Sequence, residues 1–308
     1  MRRHCGTAVA IALFAAALAT AGCGLGPGSG VGQVSLTVTR DYGAAPVLAP
    51  ASEEASESDS VMSVLERDAD ITTRYGGGFV QSIDGLEAEE RFDRSFDWFF
   101  YVNGVESTVG AADYPLTGGE AIWWDYRDWS AAMRVPAVVG SWPQPFRGGY
   151  DGKRRPVAVD CLDGGGACAA VRGALAAAGV SVSGGLPQDA IRVLVGPWGR
   201  VREDPAAAQI ESGPQASGVF ADFVRHGTGF GLVGLGVDGK PARTFGPAAG
   251  LVAATRRYEA PPTWVVTGVD EAGVRAAAGL LDVADLRGRY AVATEGGAET
   301  PLPIGAAR

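Results

Sequence analysis

Two rhythms of apolar and polar positions divide this chain. In the first 130 or so residues the pattern mostly alternates. Residues 34–40, VSLTVTR, set apolar and β-branched side chains two apart, the period of a half-buried strand. Residues 79–83 and 96–107 (FDWFFYVNGVES) continue that rhythm, and Asn103-Gly104 marks a hairpin turn. Residues 121–129, AIWWDYRDW, follow a Gly118-Gly119 turn as the last strand of the set. One helical stretch interrupts them. Val61, Val64, Leu65 and Ala69 recur at helical spacing within residues 60–71, with Asp59 or Ser60 placed to cap the start. Residues 49–60, APASEEASESDS, have no apolar period and read as a loop. Strand, helix, then strands predicts a small α+β domain with one helix packed across a mixed sheet.

After a Pro- and Gly-bearing stretch, SWPQPFRGGYDGKRRP, the rhythm changes. VAVDC, IRVLVGPW, GFGLVGLGV, GLVAATR, TWVVTG and RYAVAT are near-continuous apolar runs, the pattern of strands covered on both faces. Between them lie an alanine-rich helix over 167–179, a helix over 204–224 broken at Gly213-Pro214, and a helix over 270–286. This alternation predicts a three-layer α/β domain over residues 157–298, with 131–156 as linker and 299–308 as a C-terminal tail.

The strand period splits AIWWDYRDW into two faces. Ile122, Trp124 and Tyr126 share one face and, with Trp98, Phe100 and Val102 of the preceding strand, form an apolar surface expected under the helix. Trp123, Asp125, Arg127 and Trp129 share the other with Phe99 and Tyr101. That second face has two readings. It packs against the α/β domain, as exposed aromatic patches commonly mark interfaces. Alternatively it is a ligand platform, where the rings receive a flat ligand and Asp125 and Arg127 orient it.

Composition narrows the partners. The 308 residues carry 26 Lys plus Arg against 35 Asp plus Glu, a formal charge of −9, which disfavours nucleic acid. Residues 1–22 have the shape of a signal peptide, with Arg2 and Arg3 before an apolar stretch and Ala21-Gly22 before Cys23. The pattern resembles the bacterial lipoprotein signal, which implies a lipid on Cys23 and a place on the outer face of the cell membrane. Thr20 stands where that signal usually has leucine, so plain secretion stays the alternative. Residues 23–33 read as a flexible tether. In an oxidising compartment Cys161 and Cys168, separated by glycines, are expected to form a local disulfide. A metal site there is the weaker reading, because no histidine lies nearby.

FDWFFYVNGVES followed by GAADYPLTGGEAIWWDYRDW resembles the transcobalamin-like C-terminal domain family of bacterial surface proteins. The positions that carry the likeness are Trp98, Tyr101, Val102, Asn103, Gly104, Gly110, Ala111, Tyr114, Leu116, Gly119 and Trp124. It covers about a third of the chain, placed at residues 34–130. The resemblance implies a β-grasp-like, ligand-binding N-terminal domain, with a corrinoid such as cobalamin as ligand rather than cofactor. A membrane transporter is the implied partner for delivery. The animal cobalamin carriers pair a related domain with an α-helical barrel, whereas here an α/β pattern follows.

Catalytic chemistry has little support. Once the leader is removed, His226 is the one histidine, and no G-x-S-x-G elbow occurs. His226 is expected at a helix C-terminus, where the dipole favours it. The glycines of residues 229–236 lie in a strand pattern rather than opening a helix, which excludes a dinucleotide fingerprint. Residues 196–200, GPWGR, read as a turn at a strand's carboxyl end, and the acidic run 53–59 as a solvated loop. The expectation is therefore a non-enzymatic ligand-binding protein with Phe99, Tyr101, Trp123, Asp125, Arg127 and Trp129 as its platform. The alternative is a cell-surface interaction protein whose aromatic face binds a protein partner or its own second domain.

Overall fold

The computed structural model describes residues 29–162 and 165–306. The expected signal peptide and the lipidation of Cys23 lie outside the described residues.

The N-terminal part runs β1 (Gly30–Arg40), β2 (Ala45–Pro46), β3 (Ala51–Ser56), α1 (Val61–Asp68), β4 (Ile71–Arg74), β5 (Phe79–Ile83) and β6 (Leu86–Glu87). It continues with β7 (Glu89–Arg91), β8 (Arg94–Val102), β9 (Val105–Glu106) and β10 (Ala121–Asp128). The main sheet has the order β2-β1-β10-β8-β7, with β3 beside β1 and β9 beside β8. β1 and β10 are parallel, with Ser35 opposite Ala121 and Arg40 opposite Tyr126; β8 is antiparallel to β10. Parallel pairing needs a crossover, and α1 lies on it.

A capping box starts α1: Ser63 N–H donates to Ser60 Oγ at 3.2 Å, and Ser60 N–H to Ser63 Oγ at 2.9 Å. Val61, Val64 and Leu65 then bury against Ile122, Trp124, Tyr126, Trp98 and Val102, the face expected from the strand period. The helix ends at Asp68, short of the predicted Ile71, which instead opens β4. β3 corrects the loop expected over 49–60. It is an edge strand in which only Ala55 is buried, so it shows no apolar alternation. β1 likewise begins at Gly30, inside the stretch read as tether.

The second part runs β11 (Val157–Cys161), α2 (Gly165–Ala177), β12 (Ile191–Pro197), α3 (Trp198–Val201), α4 (Pro205–Ala208) and α5 (Pro214–Ser217). β13 (Ala221–His226), β14 (Gly229–Leu235), β15 (Pro241–Thr244), β16 (Gly250–Thr255) and β17 (Thr263–Gly268) follow. The remainder is α6 (Glu271–Ala278), α7 (Val283–Leu286), β18 (Ala291–Glu295) and β19 (Ala298–Leu302). A six-stranded sheet has the order β11-β12-β17-β16-β18-β19, parallel among the first three and antiparallel thereafter. Val171 and Leu175 of α2 and Val274 and Ala277 of α6 cover one face through Val159, Val193, Val252 and Val266. On the other, Leu194, Leu251, Ala253 and Val265 meet Trp198, Phe220, Phe223 and Leu232. There an antiparallel β13-β14-β15 sheet and the short helices form the cover. The chain is a mixed-sheet domain with one helix followed by a mixed α/β domain.

Four expectations change here. The helix over 204–224 is short pieces only; Gly213 and Gly218 adopt positive φ, and Ala221 onward is strand. His226 therefore ends a strand, not a helix. The helix over 270–286 stops at Ala278 and resumes as α7, and the expected tail pairs as β19 with β18.

Residues 131–156 connect the domains as part of the core rather than as an exposed linker. Ala132, Val135 and Val138 join the interdomain cluster, while Trp142, Phe146 and Tyr150 pack with Trp264 of β17 and its neighbours.

Candidate functional site

Of the six side chains expected to form a ligand platform, four are sealed from solvent. Tyr101, Asp125 and Arg127 are 0% exposed and Trp123 is 3% exposed. This corrects the open-platform expectation for those four. Phe99 and Trp129 are half-buried; the Phe99 ring packs against the same cluster, and Trp129 N–H donates to Ser95 O at 2.8 Å.

What closes the face is the α/β domain. Tyr290, immediately before β18, sets its ring edge-on against Trp123, Tyr101 and Tyr42, with centroids 5.4, 5.8 and 5.0 Å apart. Phe220 meets Tyr42 at 5.1 Å. The approach is close enough to need glycine at Gly140, where a Cβ would lie 2.7 Å from the Trp123 ring and 2.6 Å from Arg289 N.

Asp125 is the polar centre of this contact. Its Oδ1 accepts from Thr39 Oγ1 at 2.6 Å and Gly43 N–H at 3.0 Å, and its Oδ2 from Tyr290 OH at 2.9 Å. Trp123 Nε1 in turn donates to Thr39 Oγ1 at 2.8 Å. Burial pushes the Asp125 carboxyl up to about 6, against the opposing pull of its three donors and of Arg127. Burial also holds Tyr42, Tyr101 and Tyr290 well above the ordinary phenol range, so they act here as neutral hydroxyls.

Arg127 has no carboxylate in ion-pair reach among the described residues. Its Nη1 donates to Ala132 O at 2.7 Å and its Nη2 to Met133 O at 3.0 Å, while its guanidinium lies 3.7 Å from the Phe99 ring centroid. It thus pins the chain where it leaves β10 and uses cation–π contact in place of a counter-charge. These two residues, expected to orient a ligand, are committed to the protein's own backbone and domain contact. Thr39, Tyr42 and Tyr290 belong to the same network and carry no signal in the sequence that would have joined them to it.

Open space lies elsewhere. A cavity of about 670 Å³ lies in the α/β domain. One wall is the face of β13–β14–β15 carrying Val224, Gly231, Val233 and Thr244, paired as Val224 with Gly231 and Val233 with Thr244. Phe245 and Pro247 form another part, and Val269 and Asp270 close it where β17 runs into α6. Carboxyl ends of strands in open α/β sheets are recurrent ligand sites. Gly231 provides the room: a Cβ built there meets nothing within 4 Å. Arg225 and His226 add polar groups to the lining; Asp270 is occupied, its Oδ1 accepting Gly273 N–H at 2.8 Å. The sequence carries no signal for this cavity, because its walls come from one hairpin and a strand end far apart in the chain.

The expected disulfide is present, joining Cys161 and Cys168 with Cα atoms 6.1 Å apart. Among the described residues, no group of three or more His, Cys, Asp or Glu side chains is placed to hold a metal ion.

Comparison with known proteins reaches only the N-terminal domain with a family model. Residues 58–128 match a domain of unknown function, DUF4430, a stretch that takes in α1, β8 and β10. A solved structure from Ruminococcus gnavus ATCC 29149, described as a "putative metal binding protein", is 17% identical over 31% of this chain and 96% of its own. Its TM-score of 0.24 gives that likeness no weight for fold or function. No curated protein matches the chain.

Proposed function

We propose that this chain is an extracytoplasmic, non-catalytic binding protein that holds a small, largely apolar ligand in the α/β cavity. The observation that carries the reading is the cavity itself. At about 670 Å³ it lies within the ~300–1,000 Å³ typical of small-molecule sites, with mostly apolar walls and Arg225, His226, Thr244 and Asp270 as its polar lining. Arg225 and His226 favour a ligand with an anionic or hydrogen-bond-accepting end.

In this reading the N-terminal domain is a β-grasp module of the transcobalamin-like kind. The parallel β1–β10 pair, its antiparallel neighbours and the single crossing helix support that view. The α/β domain is three-layered, with α2 and α6 on one side of the sheet and β13–β15 on the other. Its docking onto β8 and β10 removes the aromatic platform from ligand duty, which moves capture to the α/β cavity. The lipid on Cys23 remains part of the proposal on the strength of the leader pattern, and delivery to a membrane transporter on the strength of the family resemblance.

The test uses 1-anilinonaphthalene-8-sulfonate, an apolar anion, with the folded full-length protein. Saturable fluorescence enhancement is expected, and Gly231→Leu, which fills open space without backbone strain, should abolish it. Equal binding by the variant overturns the assignment to this cavity. Hydroxocobalamin probes the corrinoid version separately: absorbance retained through desalting supports it, and colourless protein removes the corrinoid while leaving the apolar-ligand reading to the dye.

A further inference from the structure

The outer edge of β8 has a gap in its pairing. β7 pairs with Arg94 to Phe96, and β9 pairs with Tyr101 and Val102. No strand among the described residues pairs with that edge at Asp97, Trp98, Phe99 or Phe100. In the antiparallel ladder the odd-numbered residues bond on the β10 side, as Ser95 O accepts Trp129 N–H and Asn103 N–H donates to Ala121 O, so the even-numbered residues of β8 face this outer edge. Trp98 N–H therefore points into the gap, and the Asp97 carboxylate folds back to accept it at 2.8 Å.

A separate cavity of about 210 Å³ occupies this gap. Phe79, Trp98, Phe99, Phe100 and Trp124 supply aromatic walls. Two features set it apart from a packing fault. Trp124 is 2% exposed, and its Nε1 is a buried donor with no hydrogen-bond partner, although the residue lines the cavity. A buried N–H left without an acceptor is costly, and an acceptor held in the cavity would relieve that cost. Asp97 is the second feature. It is half-buried and has no ion-pair partner among the described residues, whereas Glu106 on the same wall is paired with Arg134 at 3.1 Å.

We infer that this cavity is a binding site for a small organic cation that also carries a hydrogen-bond acceptor, in the size class of an amino alcohol or amino acid. The cationic end sits between the aromatic rings and the Asp97 carboxylate, where ring faces and a carboxylate both attract positive charge. The acceptor end meets Trp124 Nε1. Arg127 already lies over the Phe99 ring, so Asp97 and the Phe79 and Phe100 rings carry the recognition rather than Phe99. The site is independent of the α/β cavity, sharing no residue with it.

The experiment follows the Trp124 indole N–H by heteronuclear NMR in the full-length protein, the resonance being assigned by its loss in Trp124→Phe. Choline, ethanolamine and L-lysine are added in turn, with 3,3-dimethyl-1-butanol as the uncharged counterpart of choline. At least one cation should move the Trp124 signal saturably, and the uncharged alcohol should not. Asp97→Asn, which keeps the acceptor for Trp98 N–H, should weaken that binding by about tenfold, the scale of a partly desolvated cation contact. Gly78→Leu provides a second variant, since a Cβ there meets nothing within 4 Å; crowding the mouth should also weaken binding. No saturable shift with any of the three cations overturns the proposal, as does equal binding by Asp97→Asn. An equal response to the uncharged alcohol overturns the choice of a cation. Dye binding in the α/β cavity is unaffected by any of these results, so the two sites stand or fall separately.

Discussion

The two faces of β10 are built from the same aromatic vocabulary and are buried by different means. Ile122, Trp124 and Tyr126 face α1 and lie in an apolar and aromatic cluster whose polar atoms sit at its rim, Tyr126 OH donating to Glu87 O at 2.8 Å and Trp98 Nε1 to Leu86 O at 2.9 Å. Trp123, Asp125 and Arg127 face the α/β domain and are equally sealed, but around a hydrogen-bonded carboxylate and a cation with no counter-charge. The first face is held by area, the second by a specific network that has to form across two domains. Burial alone therefore does not distinguish a core from an interface; the polar groups enclosed within it do.

Substituting one tryptophan on each face tests this difference at its largest. Trp124→Ala and Trp123→Ala should each cost about 3–5 kcal/mol, the range for removing a buried tryptophan. The loss in Trp124→Ala should centre on the N-terminal domain. Trp123→Ala should in addition uncouple the domains, splitting one urea transition into two. Single transitions of equal slope for both variants would erase the distinction.

Arg127→Met comes next. It removes the donors to Ala132 O and Met133 O and leaves the buried Ala132 carbonyl unsatisfied, worth about 1–3 kcal/mol, partly offset because a buried charge is also removed; the Met133 carbonyl, in an exposed residue, can turn to water. Destabilisation of about 2 kcal/mol is expected, with faster proteolysis at the 130–133 turn. A neutral or stabilising effect in thermal melts would mean that the cation contributes nothing to holding that turn.

A smaller effect appears with pH. The Asp125 carboxyl titrates at about 6 in the folded protein, against 3.8 for the ordinary group, because burial disfavours its charge. The folded state therefore holds the proton to higher pH than the unfolded state does. The resulting stabilisation is fully present below 3.8 and is lost as pH rises through about 6. In the difference between wild type and Asp125→Asn, stability should fall between those values and level off above them. A difference that is flat with pH would remove Asp125 as the titrating group.

How much of this was visible in the sequence differs between the same two faces. The helix-side face was legible because the two-residue period of β8 and β10 and the helical spacing of Val61, Val64 and Leu65 point to one surface. The alternation also separated Trp123, Asp125 and Arg127 correctly onto the second face. What covers them was not legible, since Tyr290 lies 165 residues beyond Asp125 and a lone tyrosine before an apolar strand carries no pairing signal. β3 was missed for a local reason: an edge strand with one buried side chain has no apolar rhythm to detect. The helix expected over 204–224 failed because Gly213 and Gly218 end helical turns at positive φ, and the following residues find a strand partner in β14.

The account rests on the second face of β10 being a domain contact centred on Asp125. A double-mutant cycle between Asp125→Asn and Tyr290→Phe, read by urea unfolding of the full chain, measures that contact directly. Residues sharing a hydrogen-bonded network couple by about 0.5–3 kcal/mol, and a coupling of about 1 kcal/mol is predicted here. Additive effects, with no coupling beyond error, would contradict the account.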